Sequence, residues 1–250
     1  RQQSSWWARL MDELLFIYLS GARGVNPNFL LPFGYAGRAN NALVSPDAHH
    51  TLYGGDATAF NNLDASDKLD LRLIDRAKTK ADSQGGGATN IPVLQPCKID
   101  GHETFVCVMH TFQEDDLRAN VATGQWLDIQ KAAAAAEGKS NPLFKGSLGM
   151  YRGVILHSHR NVIRFANAGA AGNVEAARAL FMGAQAAVVA FGSPGTNMRF
   201  DWHEETRDNG DKVVITTSSI FGIKKVTFTH DGVGAQDFGL FALDTAAANR

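Results

Sequence analysis

The segment 22–65 places the strongest constraint on what this chain can fold into. It shows neither helical nor strand periodicity, and Gly, Pro and Asn recur along its whole length. The chain contains 25 Gly in 250 residues, which favours many turns and extended connections. A connection of this length is uncommon in a compact domain unless it is functional or binds another surface. The segment therefore predicts a protein that uses its loops for function or for binding.

Composition limits the class of protein. Hydrophobic residues make up 44% and charged residues 20%, which is typical of a folded globular chain of one large domain or two small ones. Lys and Arg number 24 against 25 Asp and Glu, so the sequence lacks the basic excess that is the usual footprint of nucleic-acid binding by a general cationic face. The sequence has no apolar run long enough to span a bilayer. We expect Cys97 and Cys107 to be small buried side chains rather than a redox pair.

A helix is predicted at 2–19, because its apolar residues recur at helical spacing. They form two adjacent stripes: Trp6, Leu10, Leu14 and Ile17, and beside them Trp7, Met11, Leu15 and Tyr18. Gly21 is the expected C-terminal stop. The helix is either an ordinary core helix or one that also packs on a neighbouring subunit, since large aromatic side chains are enriched at interface cores. Because the chain starts at Arg1 without Met or a helix cap, we expect the helix to begin upstream.

The remaining elements predict an α+β fold that closes with an antiparallel ribbon. Helices are expected at 70–82, capped by Asp70, at 125–137 and at 174–190. The expected strands lie at 91–95, 103–110, 150–157, 200–206, 212–218, 222–230 and 237–244. Asn209-Gly210 predicts a type I′ turn between the strands 200–206 and 212–218.

The search for catalytic chemistry gives two weak candidates. The segment 137–140 resembles the end of a phosphate-binding loop, but Ala133 occupies a required Gly position and the segment ends a helix. His157 and His159 share a strand face and are the best metal ligands, with His110, Asp115 or Asp116 as a third. Two polar residues at a strand end are the other interpretation, and we predict that the pair binds no structural metal. The residues around Ser193 exclude a nucleophile elbow, because Pro194 follows the serine and the glycines have the wrong spacing.

The ribbon at 200–218 carries a cluster of charges that is too polar for a buried ribbon. Glu204 and Glu205 are adjacent and therefore point to opposite faces of a strand, which argues against paired acid–base work. We predict that the ribbon projects and contacts a neighbour through a set of residues that comprises His203, Glu204, Glu205, Arg207, Asp208 and Lys212 as well as Trp6 and Trp7 of the opening helix.

Six segments taken together, in this order, resemble the major capsid proteins of tailed bacteriophages. The similar branch is the one typified by the coliphage called N-four. The segments are WWARLMDELLFIYLSGARG, IPVLQPCKIDGHETFVCVMHTFQEDDLR, QWLDIQKAAAAAEGKSNPLFKGSLGMYRGVILHSH, ARALFMGAQAAVVAFG, WHEETRDNGDKVVITTSSIFGIKKVTF and QDFGLFALDT. The resemblance implies the HK97-like capsid fold, with a peripheral domain built on a long spine helix and an axial domain around a mixed sheet. It also implies an N-terminal arm and an extended β-loop upstream of the spine helix, and it offers no catalytic residue.

The resemblance further implies domain limits and partners. The range 1–100 is expected to hold the spine helix, the loop-rich segment and part of the peripheral domain, 101–200 the axial domain, and 201–250 the peripheral ribbon and closing strand. The implied function is a shell subunit of the virion head, assembled in the bacterial host cytoplasm as hexamers and pentamers. Portal, scaffolding or decoration proteins are further partners, packaged DNA is only a non-specific neighbour, and no cofactor or membrane is implied. The alternatives are a metal-dependent hydrolase using His157 and His159, and an encapsulin-like compartment or gene-transfer particle.

Overall fold

The computed structural model describes residues 2–38, 40–83, 93–99, 101–126, 149–192, 199–230 and 234–248. The predicted helix at 125–137 lies outside these residues except for its first two positions. The described part contains three α-helices, α1 (Gln2–Ser20), α2 (Leu71–Asp82) and α3 (Thr111–Ala119), and two 3-10 helices at Ala48–His50 and Phe60–Asn62.

Sixteen strands accompany these helices in the described residues. They are β1 (Gly37–Arg38), β2 (Asn41–Ala42), β3 (Thr51–Tyr53), β4 (Cys97–Ile99), β5 (His102–Met109), β6 (Met150–Tyr151), β7 (Val154–Ser158), β8 (Arg164–Ala168), β9 (Val174–Met182), β10 (Ala187–Phe191), β11 (Asp201–Arg207), β12 (Lys212–Ser218), β13 (Phe221–Lys225), β14 (Thr227–His230), β15 (Gly234–Asp237) and β16 (Leu240–Ala246).

An eight-stranded mixed sheet forms the centre of the molecule. Its main order is β3-β16-β9-β5-β7-β6, and β4 and β8 pair with β5 and β9. The pairs β3–β16 and β5–β7 are parallel, and the other pairs are antiparallel. The remaining strands form separate two-stranded sheets, β1–β2, β10–β13, β11–β12 and β14–β15.

Helices cover both faces of this sheet. Because successive strand residues point to opposite faces, Phe181 of β9 packs in the cluster that contains Ile74 of α2, whereas Leu180 packs in the cluster that contains Ile17 of α1. All four side chains are fully buried. The core therefore consists of two layers, one on each side of the sheet.

Several predicted elements are confirmed. Helix α1 ends where Gly21 adopts a φ of 67°, and helix α2 begins at Asp70, whose Oδ1 accepts a hydrogen bond of 2.8 Å from the Leu73 amide. A Cβ atom on Gly21 would lie 2.1 Å from the Val44 carbonyl oxygen, so this position needs glycine for space as well as for conformation.

The helix predicted at 174–190 is wrong, because this segment forms β9 and β10. Residues 176–181 of β9 are all buried, since β9 lies in the middle of the sheet with helices on both faces. A strand that is buried on both faces is apolar at nearly every position, so its apolar residues also match helical spacing. Sheet pairing and burial then override the helix propensity of its alanines.

Smaller differences concern strand ends and the loop-rich segment. The strand predicted at 150–157 is split into β6 and β7 by Arg152 and Gly153, which have φ values of 47° and 75°. The strands at 222–230 and 237–244 are likewise each divided, and residues 93–95 are not in a strand. The segment 22–65 does contain short elements, and β3 within it joins the central sheet in parallel with β16.

Candidate subunit-contact surface

The strands β11 and β12 form a ribbon that pairs with no other strand of the described residues. Its register runs from Asp201 opposite Ser218 to Arg207 opposite Lys212. The Asp211 amide donates to the Asp208 carbonyl at 3.1 Å, and Asn209 and Gly210 have φ values of 55° and 96°. These are the φ values of a type I′ turn, so the predicted turn is confirmed.

One face of the ribbon exposes three apolar side chains and also carries Glu204, which lies opposite Ile215. Trp202, Val213 and Ile215 are 60%, 56% and 43% exposed. They share a face, because cross-strand partners point to the same side and these residues alternate along the strands. A two-stranded ribbon has little stability of its own, so its attachment to the rest of the chain matters.

The charged residues of the ribbon are exposed, except Asp201, which is partly buried. Glu205 pairs with Arg207 and Asp208 pairs with Lys212, each at 3.0 Å. Glu204 and Asp211 take part in no ion pair within the described residues. His203 lies on the same face as Glu205, opposite to the face that carries Glu204.

Helix α1 anchors the base of the ribbon through its N-terminal residues. The indole Nε1 of Trp7 donates to Thr217 Oγ1 at 2.9 Å, and Gln3 Nε2 donates to the Ile215 carbonyl at 3.0 Å. The Trp7 ring also packs edge-on against Phe200 and Phe221, with centroids 5.4 Å and 6.2 Å apart. The contacts of Trp7 are thus within its own chain.

The neighbouring Trp6 faces outwards. It is 45% exposed and touches the Trp7 ring edge-on at 5.2 Å. The structure therefore separates the two tryptophans that the sequence placed on one wide face: Trp7 holds the ribbon, and Trp6 remains available at the surface.

The histidines that the sequence singled out lie near one another without forming a ligand set. The His157 and His159 ring centroids are 6.4 Å apart, and the His159 ring stacks on Phe16 at 5.0 Å. His159 Nδ1 accepts from the Asn161 amide at 3.2 Å. Within the described ranges, no group of three or more His, Cys, Asp or Glu side chains is arranged to hold a metal ion.

Two of the proposed third ligands, His110 and Asp116, have other roles. His110 caps helix α3: its Nδ1 accepts from the Phe112 amide at 3.1 Å, while its own amide donates to Gln113 Oε1 at 2.9 Å. Burial, together with the charge of Arg164, lowers the pKa of His110 to about 4, so its imidazole is neutral at neutral pH. Asp116 pairs with Lys68 at 3.2 Å.

Sequence reasoning missed a cleft of about 940 Å³ between α1, the loop 26–28, the start of α3 and the turn 159–164. Three guanidinium groups line it, and we call it the arginine cleft after Arg9, Arg160 and Arg164. Arg164 is held by Glu175 at 3.1 Å and lies over the Phe112 ring at 4.5 Å. These arginines come from distant parts of the sequence, so no local motif marks the cleft.

Two buried ion pairs fix the elements around these surfaces. Arg178 of β9 binds Asp244 of β16 through two bonds of 2.7 Å and 2.6 Å and donates to the Ser20 carbonyl at the end of α1. Lys225 Nζ lies 2.9 Å from Asp237 Oδ2 and 2.8 Å from the Ser45 carbonyl oxygen. Each pair is buried, so each charge depends on its partner for compensation.

Comparison with known proteins decides the family. The family model described as phage capsid protein matches residues 1–249, nearly the whole chain. The chain belongs to this phage capsid protein family. No helix of this capsid-family chain is both long and apolar enough to cross a membrane, among the residues that the structure describes.

Individual relatives agree with this assignment. The chain is 26% identical over 272 residues to the major capsid protein of Pseudomonas phage KPP25, covering 97% of this chain and 65% of that protein. Against the capsid of Ralstonia phage GP4 the identity is 46% and the TM-score is 0.80, with coverage of 99% and 66%. The capsid-family chain thus spans about two thirds of the length of these relatives.

A more distant structure supports the fold alone. The cyanophage Pam1 capsid asymmetric unit matches with a TM-score of 0.67 at 19% identity, over 98% of this chain and 67% of that one. Together with the helices and the mixed sheet described above, these matches show the HK97-like capsid fold. The predicted α+β fold class is therefore confirmed.

Proposed function

We propose that this chain is a non-enzymatic structural subunit that assembles with copies of itself into the icosahedral head shell around a viral double-stranded DNA genome. The observation that carries the proposal is the family match along residues 1–249, joined by 46% identity to the Ralstonia phage GP4 capsid along 99% of the chain. Such a subunit is a component of the virion.

The surface chemistry supports a role in assembly. The ribbon exposes Trp202, Val213 and Ile215 on one face, and exposed apolar side chains that lie together are typical of protein–protein contact sites. The net charge of −1 also suits a shell, because a strongly cationic lining would hold packaged DNA tightly and in a salt-dependent manner.

The proposal assigns particular residues to contacts between subunits. Trp6 and the ribbon residues make them, and Trp7 acts indirectly by holding the ribbon on α1. The ribbon residues concerned are His203, Glu204, Glu205, Arg207, Asp208 and Lys212. Their exposure in a single chain supports this assignment, since rim charges set register and partner choice.

The domain division is part of the same proposal. We take 101–200 as the axial domain and add the strands β3 and β16 to it. Both strands lie in the central sheet, although β3 comes from the range 1–100 and β16 from the range 201–250. Helix α1 and the ribbon belong to the peripheral domain. This extension follows the hydrogen bonding of the strands rather than contiguous sequence.

The finer assignments are also proposals. They comprise membership of the branch typified by coliphage N-four, assembly as hexamers and pentamers in the bacterial cytoplasm, and interaction with portal, scaffolding or decoration proteins. Their support is the ordered resemblance of six sequence segments. The chain is proposed to act without a cofactor.

The test is expression of the complete gene followed by electron microscopy and sedimentation. Closed particles of uniform size are expected, and genome-length DNA inside particles from infected cells would identify them as phage heads. A protein that stays small under all assembly conditions would overturn the proposal. Closed particles that never contain DNA in infected cells would instead favour an encapsulin-like compartment.

A further inference from the structure

We propose that the acidic tip of the ribbon of one subunit docks into the arginine cleft of the next subunit. By the tip we mean residues 204–212, in which four carboxylates (Glu204, Glu205, Asp208 and Asp211) outnumber Arg207 and Lys212 and give a net charge of −2. The inference rests on the proposed shell function and deepens it, because it names the surface that receives the ribbon. A second copy of this chain is the only occupant that it requires.

The first support is complementary charge. Glu204 and Asp211 on the ribbon, and Arg9 and Arg160 in the cleft, are exposed and have no ion-pair partner within the described part of the chain. Within the same residues, Arg9 makes a single side-chain bond, of 3.3 Å, to the Asn28 carbonyl. Two carboxylates of the ribbon and two guanidinium groups of the cleft thus lack ion-pair partners within the described residues and have opposite charges.

The carboxylates that also line the cleft do not cancel this match. Glu13 is buried and its Oε2 accepts from the Leu30 amide at 2.7 Å. Asp12 accepts from Asn161 Nδ2 and lies 3.8 Å from His159 Nε2. Both carboxylates are held by partners in their own chain, and the three guanidinium groups of the cleft outnumber them.

The second support is the placement of the two surfaces on helix α1. Gln3 and Trp7 hold the ribbon, whereas residues 8, 9, 12 and 13 line the cleft. At about 100° per residue, the cleft residues are centred roughly 170° around the helix from Trp7. The ribbon therefore leaves from one side of α1 and the cleft opens on the opposite side.

This arrangement suits a head-to-tail contact. The ribbon tip and the cleft are different surfaces. Two copies related by a two-fold axis therefore cannot make this contact through one shared patch. Contacts between different surfaces generate closed rings when the rotation allows it, and rings are what a capsomer requires. Strands of seven residues give the ribbon a length of about 23 Å, so its tip is carried away from its own α1.

Exposed ion pairs are individually weak and act mainly on register and on the choice of partner. In a shell the same contact is repeated by every subunit, so a modest preference at each contact accumulates. The inference therefore predicts a large effect on assembly and a small effect on the folding of the subunit.

A charge-swap experiment in the complete gene product tests the inference. The variants Glu204→Lys/Asp211→Lys and Arg9→Glu/Arg160→Glu are each expected to reduce particle yield at least tenfold. The quadruple variant restores opposite charges across the contact and is expected to recover at least half of the unaltered yield. The matched control is Lys98→Glu/Glu103→Lys, which exchanges an exposed cross-strand pair on β4–β5 and is expected to leave the yield unchanged.

The outcomes separate the two proposals. If the unaltered protein forms no particles, the shell function fails and this inference fails with it. If the unaltered protein assembles but either double variant assembles equally well, or the quadruple variant is no better than the doubles, only this inference is overturned.

A second measurement covers the case in which a reversed-charge variant folds poorly. Arg160→Cys/Asp211→Cys places a thiol on each surface, and a head-to-tail contact predicts a ladder of disulfide-linked subunits from oxidised particles. Each single cysteine variant serves as a control, because Cys97 and Cys107 are present in all of them. Monomers and dimers alone, in a double variant that forms particles, would contradict the docking.

Discussion

At the scale of single residues, the buried ion pairs hold distant parts of the chain together. Arg178 and Asp244 join β9, β16 and the end of α1, and Lys225 and Asp237 join β13, β15 and the loop-rich segment at Ser45. A buried pair adds little net stability over an apolar pair, yet removing one partner leaves an uncompensated charge.

Replacing Asp237 with Ala is therefore expected to lower the free energy of unfolding by about 3–5 kcal/mol. In this variant the Lys225 ammonium would keep its hydrogen bond to the Ser45 carbonyl but lose the negative charge of Asp237. Burial already lowers the pKa of Lys225. Denaturant unfolding of the purified subunit measures the effect. Asp208→Ala, which breaks the exposed pair with Lys212, is the control and should change stability little. Equal stability of the two variants would show that the buried pair is unimportant.

The depressed pKa of His110 predicts a pH dependence of stability. The unfolded chain protonates this imidazole near pH 6.5, whereas the folded chain does so only near a pKa of about 4. Between these values the unfolded state binds more protons, so the stability contributed by neutral His110 is complete above pH 6.5 and is lost as the pH falls towards 4. His110→Asn keeps a cap acceptor without titrating. As the pH falls through this range, the melting temperature should decrease more steeply for the natural chain than for the variant. Parallel curves would show that His110 is not a source of the pH dependence.

At the scale of elements, the attachment of the ribbon to α1 depends on one tryptophan of the adjacent pair. Trp7 is half-buried, donates to Thr217 and packs against Phe200 and Phe221, whereas Trp6 is 45% exposed. The side chains are chemically identical, so the pair provides a matched comparison of packing alone.

We expect Trp7→Ala to lower the free energy of unfolding by more than about 2 kcal/mol, and Trp6→Ala to lower it far less. Trp7→Phe should keep most of the packing and lose the bond to Thr217, at a cost of about 1 kcal/mol. Limited proteolysis should also cut within 201–218 sooner in Trp7→Ala, because the ribbon loses its anchor. A larger effect at Trp6 than at Trp7 would mean that the ribbon is held elsewhere.

At the scale of the whole molecule, folding and assembly draw on different parts of the chain. The core lies between α1, α2 and the central sheet, and the ribbon contributes no strand to that sheet. The subunit can therefore lose the ribbon's outer part without exposing the core.

Replacing residues 202–217 with Asn-Gly tests this separation. Asp201 and Ser218 are cross-strand partners, so a two-residue type I′ turn can join them. The variant is expected to keep its circular dichroism and cooperative melting but to form no particles in sedimentation and electron microscopy. Glu204→Lys/Glu205→Lys, which keeps the ribbon's length, is expected to reduce assembly while the subunit stays folded. Normal particles from either variant would remove the ribbon from the subunit interface.

The sequence by itself determined the features whose signals act over a few residues. Asp70 caps α2, Gly21 ends α1, and Asn209-Gly210 turns the ribbon, because each depends on local backbone preference and hydrogen bonding. The ordered resemblance of six segments likewise sufficed to predict the family and the fold class.

Only the tertiary structure decided which apolar run is a strand and where the distant charges meet. The apolar pattern of the segment 174–182 predicts a helix. The segment is a strand whose two faces are both covered by other elements, and burial on two faces is a property of the assembled sheet. The sequence pattern also does not predict helix α3, whose N-cap is the histidine His110. Arg9 and Arg160 share a cleft only because α1 packs beside the turn after β7, and Trp7 differs from Trp6 only because the ribbon returns to one of them. Contacts between residues far apart in sequence depend on chain topology, which no local pattern encodes.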